Sequence, residues 1–155
     1  MEGLLGELGI TNPVIAAPMA GGPTTPELVV AAARAGSLGF LAAGYKTTEE
    51  LARQIEIVRS GTATFGVNLF VPTPVPVDVP AYRRYAAALQ PDADLYGLDL
   101  ADTSIREDDD WFGHKVDLVV GEGVRVVSFT FGVVGPEVVT RLRRSGAIVV
   151  QTVTS

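Results

Sequence analysis

The sequence predicts an α/β fold built on parallel strands, and three observations predict it. Five short apolar runs, at 14–18, 38–43, 65–69, 124–129 and 147–152, are separated by longer amphipathic segments. The runs are nearly continuous in apolar residues, not alternating, which is the pattern of strands covered on both faces. The segments between them carry helix start and stop signals.

Each element has its own reason. Thr25 is placed to cap a helix, with Pro26 at the first helical position, Glu27 in the first turn, and Gly36 where a C-cap glycine belongs. Thr47 caps the next helix, with Glu49 and Glu50 in its first turn; Leu51, Ile55 and Val58 form one apolar stripe, and Gly61 follows its end. Residues 82–89, about 109–120, and 136–144 are three further helices. Residues 71–80 contain Pro72, Pro74, Pro76 and Pro80, which predicts an extended loop that lengthens one strand-to-helix connection. Residues 26–38 also align without gaps on 136–148, with Pro26-Glu27 repeated as Pro136-Glu137 and Gly36 as Gly146. This is the αβ half of a repeating βα unit. Two architectures satisfy the alternation, a doubly wound sheet and a (β/α)8 barrel of which five strands are a little over half.

Composition narrows the class. A chain of 155 residues with 47% hydrophobic and 19% charged residues fits one domain, 1–155, with a real core. A net charge of −6 repels phosphodiester backbones, so nucleic acid is not an expected partner. The acidic run Glu107-Asp108-Asp109-Asp110 reads as a solvated loop or helix start, and no metal site is expected. The absence of cysteine excludes disulfides, thiolate catalysis and cysteine-bound zinc. Glu2 stands where a signal peptide would carry a base. Arg125 interrupts the longest apolar stretch, so no membrane span is expected and the reading is a soluble, cytoplasmic protein.

Candidate chemistry lies at the carboxyl ends of the strands, where parallel α/β folds bind ligands. Pro18-Met19-Ala20-Gly21-Gly22-Pro23 follows the first strand; it reads either as a backbone floor under a cofactor or as a tight turn, and it lacks the dinucleotide spacing G-x-G-x-x-G. Asn68 is a lone amide in an apolar strand, near its carboxyl end. An unpaired buried amide costs a few kcal/mol, so it must find partners, in a ligand edge or in loop backbone. Phe129, Thr130 and Phe131 end the fourth strand, with the two aromatics at i and i+2 expected on one face, walling a flat ring or filling core. Gln151 and the hydroxyls of Thr152, Thr154 and Ser155 make the fifth strand end polar. His114 is the only histidine and falls in an outer helix, which leaves neither a Ser-His-Asp triad nor a zinc site. Lys46, past the second strand, reads as a solvated lysine before it reads as an anion partner.

Taken in order, these segments resemble one family. They are Pro-Val-Ile-Ala-Ala-Pro-Met-Ala-Gly-Gly at 13–22 with Thr-Thr-Pro at 24–26, Ala-Gly-Ser-Leu-Gly-Phe-Leu at 35–41 with Ala-Gly-Tyr at 43–45, Phe-Gly-Val-Asn-Leu-Phe-Val-Pro at 65–72, Val-Ser-Phe-Thr-Phe-Gly at 127–132, and Thr-Val-Thr-Ser at 152–155. The set is similar to nitronate monooxygenases, formerly 2-nitropropane dioxygenases, over essentially the whole chain. The resemblance implies a (β/α)8 TIM barrel, with about its first five strands present, binding FMN non-covalently. It implies oxidation of alkyl nitronates by O2 to carbonyl compounds and nitrite. By position it places Ala17, Pro18, Met19 and Ala20 against the flavin and Asn68 on the cofactor by a hydrogen bond, with Gln151 beside them and Phe129, Thr130 and Phe131 lining the substrate cavity. The family's catalytic histidine and its glycine-rich phosphate loops would lie beyond Ser155, so no catalytic residue is assigned within the chain and weak FMN binding with negligible turnover is the expectation for it alone. The nearest alternatives are an FMN-dependent enoyl-acyl-carrier-protein reductase of the same barrel group, which the proline-rich insertion and the Ser-Phe-Thr-Phe-Gly stretch disfavour, and a non-enzymatic half-barrel that self-associates as a homo-oligomer through unpaired strand edges.

Overall fold

The computed structural model describes residues 3–72, 76–101 and 103–154, with the side chains of Leu4 and Leu5 excepted. Met1, Glu2, Pro74 and Ser155, which entered the sequence reading, lie outside the described residues. The elements run α1 (Leu4–Glu7), β1 (Ile15–Ala16), α2 (Pro26–Arg34), β2 (Leu38–Ala42), α3 (Thr48–Gly61), β3 (Gly66–Phe70), α4 (Val79–Asp94), α5 (Phe112–Gly121), β4 (Val126–Thr130), α6 (Pro136–Arg144) and β5 (Ile148–Gln151). The strands pair in parallel in the order β1-β2-β3-β4-β5. A doubly wound sheet reverses its direction of growth at a switch point, whereas a barrel adds each strand beside the last. The sequential order is that of a barrel wall.

The helix signals act as read. Thr25 Oγ1 accepts from the Leu28 amide at 3.3 Å, and Gly36 takes φ +74° just past α2. Thr47 and Glu50 form a reciprocal capping box at 3.2 and 2.8 Å. The internal repeat is structural as well: α2 and α6 are both 9 residues long, and Gly146 repeats the left-handed turn of Gly36 with φ +86° before the next strand.

Several boundaries differ from expectation; Gly61, expected just past α3, is its last residue. β1 is only two residues long, because Pro18 has no N–H with which to extend the ladder. α4 begins at Val79, inside the stretch expected to be extended; Asp78 Oδ1 accepts from the Ala81 amide at 3.2 Å, and Pro80 sits in the first turn where its missing N–H is not needed. α4 also runs on through Pro91 to Asp94. α5 starts at Phe112, not 109, because Asp110 and Trp111 adopt left-handed φ of 53° and 50°.

The chain divides into two compact units, one of residues 1–72 with 109–155 and one of residues 73–108. The first holds all five strands. The second is α4 and its return segment, closed by Gln90, whose Nε2 donates to Leu98 O at 2.9 Å and whose Oε1 accepts from Leu100 N at 2.8 Å. Tyr82 Oη donates to Thr103 Oγ1 at 3.2 Å in the same unit.

The two faces of the sheet are filled differently. Leu41, Val67, Leu69, Val127 and Phe129 are fully buried among the helix residues Leu51, Ile55, Val58, Val116, Val119 and Leu142. The other face is closed only toward the strands' amino ends, by Leu38, Phe40 and Val126 with Leu8 and Ile10. There the Phe40 ring lies over Gly66, where a Cβ would sit 2.3 Å from it. α2 packs on β2 at backbone distance, since a Cβ on Gly39 would lie 2.7 Å from Val29 Cα.

Candidate functional site at the strand tips

Because all five strands are parallel, their carboxyl ends share one edge. Ala42, Asn68, Ser128 and Val150 lie in one register row, with Phe70 beside Thr130 one pair further on. A strand alternates its side chains, so Asn68, Phe70, Ser128 and Thr130 all project from the face opposite the helix-covered one. Asn68 is 5% exposed. Its Nδ2 donates to Ser128 Oγ at 2.9 Å, and its Oδ1 accepts from Thr130 Oγ1 at 3.0 Å. Two hydroxyls of β4 thus hold the amide plane fixed. An amide has two N–H groups and two carbonyl lone pairs, so one of each is left for a ligand.

The loop after β1 leaves the same edge, two strand spacings or roughly 10 Å from β3. Thr24, 2% exposed, closes it: its Oγ1 accepts from the Met19 amide at 2.8 Å, and its amide donates to Met19 O at 3.3 Å. Gly21 and Gly22, at φ +80° and +125°, make the tight turn that this closure needs. Ala17 and Met19 are exposed, and Pro18 and Ala20 half-buried, on a short ledge of small residues.

The remaining expected residues separate. Phe129 and Phe131 do not share a face. Phe129 is fully buried on the helix side, its ring 6.1 Å from that of Phe112. Phe131 lies past the end of β4, and its φ of 73° turns it out to 73% exposure, with its ring 4.6 Å from Phe70. Gln151 registers with Phe129, in the helix-side row. Its amide donates to Gly132 O at 2.8 Å and to Thr152 O at 2.9 Å and accepts from Val134 N at 3.2 Å, so it orders the loop between β4 and α6. His114 is exposed on α5. Lys46 is not simply solvated: Nζ donates to Ala42 O at 2.7 Å and Gln54 Oε1 at 3.0 Å. Burial lowers its ammonium below the ordinary lysine value, Glu50 opposes that, and Lys115 adds to it.

Sequence reasoning missed Thr24, Lys115 and the Tyr45–Phe70 pair. Thr24-Thr25 was legible as a doublet in which the second residue caps the helix and the first closes the loop. Lys115 falls at helical spacing with Phe112 and Val119, on the buried side of α5, which is an unusual place for a lysine.

A sequence profile described as nitronate monooxygenase matches residues 3–155. Proteins described as "Probable nitronate monooxygenase" from Staphylococcus aureus (strain Newman) and Bacillus subtilis (strain 168) are each 34% identical, over 149 and 153 residues. Those matches take in 96% and 98% of this chain but 41% and 43% of the relatives, so the chain spans under half their length. Among solved structures, nitroalkane oxidase from Streptomyces ansochromogenes is similar with a TM-score of 0.82 and 38% identity, over 97% of this chain and 43% of that one. A FabK structure from Thermotoga maritima is similar in fold, with a TM-score of 0.66 at 24% identity, over 97% of this chain and 39% of that one. With its five parallel strands forming part of a TIM-barrel wall, this chain belongs to the nitronate monooxygenase family.

Proposed function

We propose that the chain supplies the flavin-facing floor of an FMN-dependent nitronate monooxygenase, which oxidises alkyl nitronates with O2 to a carbonyl compound and nitrite. The observation that carries this reading is the Asn68–Ser128–Thr130 network, a fixed amide on an otherwise apolar face at the strand tips. A flat heterocycle with alternating donors and acceptors fits such a place. Asn68 retains a donor and an acceptor, and Ala17, Ala20, Ala42 and Gly44 carry too little side chain to block a ring.

In this reading residues 1–155 are the N-terminal part of one FMN-binding barrel domain. Ala17, Pro18, Met19 and Ala20 form the ledge on which the cofactor lies, held in place by Thr24. Asn68 orients the cofactor by hydrogen bonding, with its amide plane set by Ser128 and Thr130. Gln151 acts at one remove, by fixing the loop that carries Phe131. Thr130 and Phe131, but not Phe129, border the space where the nitronate sits. When bound, FMN supplies the electron-accepting chemistry, and the protein's part is orientation and exclusion of water.

The reaction is tested with propyl-2-nitronate under air and saturating FMN, by following O2 uptake and nitrite release from the chain within a complete barrel; the chain alone should release little nitrite. Nitrite formation without a nicotinamide cofactor supports the reading. NADH oxidation with an enoyl thioester, and no nitrite, would replace it with a reductase.

A further inference from the structure

We propose that Tyr45, Phe70 and Phe131 form an aromatic rim that selects substrates by the length of their apolar chain, and that the buried Lys115–Asp110 pair is the positioning device that sets this rim. The substrate class rests on the reading above, which names alkyl nitronates.

The three rings form one continuous array. Tyr45 and Phe70 meet edge to face at 5.5 Å and 81°, and Phe70 and Phe131 at 4.6 Å and 73°. Phe70 lies two residues beyond Asn68 on the same strand face, so the array stands roughly 7 Å above the amide network along the strand direction. Gly44 makes room for it: a Cβ there would sit 2.2 Å from the Phe70 ring. Tyr45 is 77% exposed and Phe131 73% exposed. Two large rings held toward water beside a polar ligand-facing row offer apolar area that only a ligand, or another part of the protein, would cover.

The rim is held in an unfavourable conformation. Tyr45 and Phe131 have φ of 64° and 73°, and Asp110, which accepts from the Tyr45 amide, and its neighbour Trp111 have φ of 53° and 50°. Left-handed backbone is unfavourable for a non-glycine residue, and it persists only where its surroundings enforce it. At Tyr45 the enforcing group is the Lys115–Asp110 pair. Lys115, 1% exposed, places Nζ 2.7 Å from Asp110 Oδ2 and 2.9 Å from Ala43 O, while Asp110 Oδ1 accepts from the Tyr45 amide at 2.9 Å. One ion pair therefore ties the start of α5 to the turn after β2 on both sides of Gly44. The Trp111 ring lies 5.9 Å from the same ammonium and is the only tryptophan of the chain, so it reports on the pair.

The test titrates the flavin-loaded complete barrel, with O2 excluded, with nitroalkanes from nitroethane to nitrohexane by calorimetry, and records turnover of the corresponding nitronates in air separately. Wild type should bind up to roughly fourfold more tightly per added methylene that the rim buries. Tyr45→Ala, a surface change that leaves the core intact, should flatten that dependence while affinity for nitroethane stays near wild type; Phe131→Ala should flatten it and weaken nitroethane binding as well. Lys115→Met should flatten it too, together with a shift in Trp111 emission, although it touches none of the rings. A chain-length dependence that is absent in wild type, or that survives in both ring variants, overturns the rim. A dependence lost in the ring variants but kept in a folded Lys115→Met with shifted Trp111 emission overturns the positioning role. Turnover by the complete barrel without chain-length dependence would sink the rim and leave the function standing; chain-length dependence without turnover by the complete barrel would do the reverse.

Discussion

The two faces of β3 and β4 are made by the same ten residues and do opposite work. On the helix side Val67, Leu69, Val127 and Phe129 are fully buried, and their value is packing. On the other side Asn68, Ser128 and Thr130 hydrogen-bond one another, with Phe70 beyond them and an apolar plug of Leu8, Ile10 and Phe40 toward the amino ends. A period of two residues is enough to put a core and a candidate site on one strand pair. The difference teaches that polarity at a strand tip must be judged by its row. Asn68 and Gln151 look alike in sequence, yet Asn68 faces the open side and Gln151 ties down a loop.

Breaking the packed face should have the largest effect. Phe129→Ala removes a ring with no exposure and should cost about 3–5 kcal/mol, measured by urea unfolding. The open face should respond less in stability and more in binding. Asn68→Leu leaves the Ser128 and Thr130 hydroxyls without their amide and should cost about 1–3 kcal/mol in the same measurement, with a marked loss of FMN affinity that Phe129→Leu does not share. Thr24→Val keeps the shape but deletes the acceptor for the Met19 amide; about 1 kcal/mol of stability should be lost, and proteolysis within 18–23 should speed up.

The smallest effect is electrostatic. The folded protein holds Lys46 below the ordinary lysine pKa, chiefly by burial, so the unfolded chain binds the proton more readily. Between the lowered value and the ordinary one, stability contributed by this group therefore rises with pH. Lys46→Met should remove that rise, so the difference in unfolding free energy between wild type and variant should change sign-consistently across alkaline pH, with wild type gaining.

How much of this was legible follows from which forces are local. The caps at Thr25 and Thr47 and the glycines at 36 and 146 are decided within a few residues and stand as the sequence indicates, and each of the five apolar runs carries a strand, although β1 keeps only two residues. The choice between a doubly wound sheet and a barrel was not legible from periodicity, because strand order is a matter of which distant runs pair. Asn68 was identified from its cost of burial alone, but its partners on β4 lie 60 and 62 residues away and have no local signature. Phe129 and Phe131 failed as a pair because alternation holds only while the strand continues, and Phe131 turns left-handed one residue past its end. Lys115 was missed because its partner Asp110 sits in an acidic run whose default reading is a solvated loop.

The most direct test of the central claim, that the open face at the tips of β1, β3 and β4 is where the flavin lies, is an NMR titration of the isotope-labelled chain with FMN up to millimolar concentration, which detects even weak binding. The account predicts that the Asn68 side-chain amide and the backbone amides of Met19 and Ala20 shift together along one binding curve, while Phe129 and the α2–α3 groove stay still. Saturable shifts confined to the helix side, with the Asn68 amide unmoved, would contradict it.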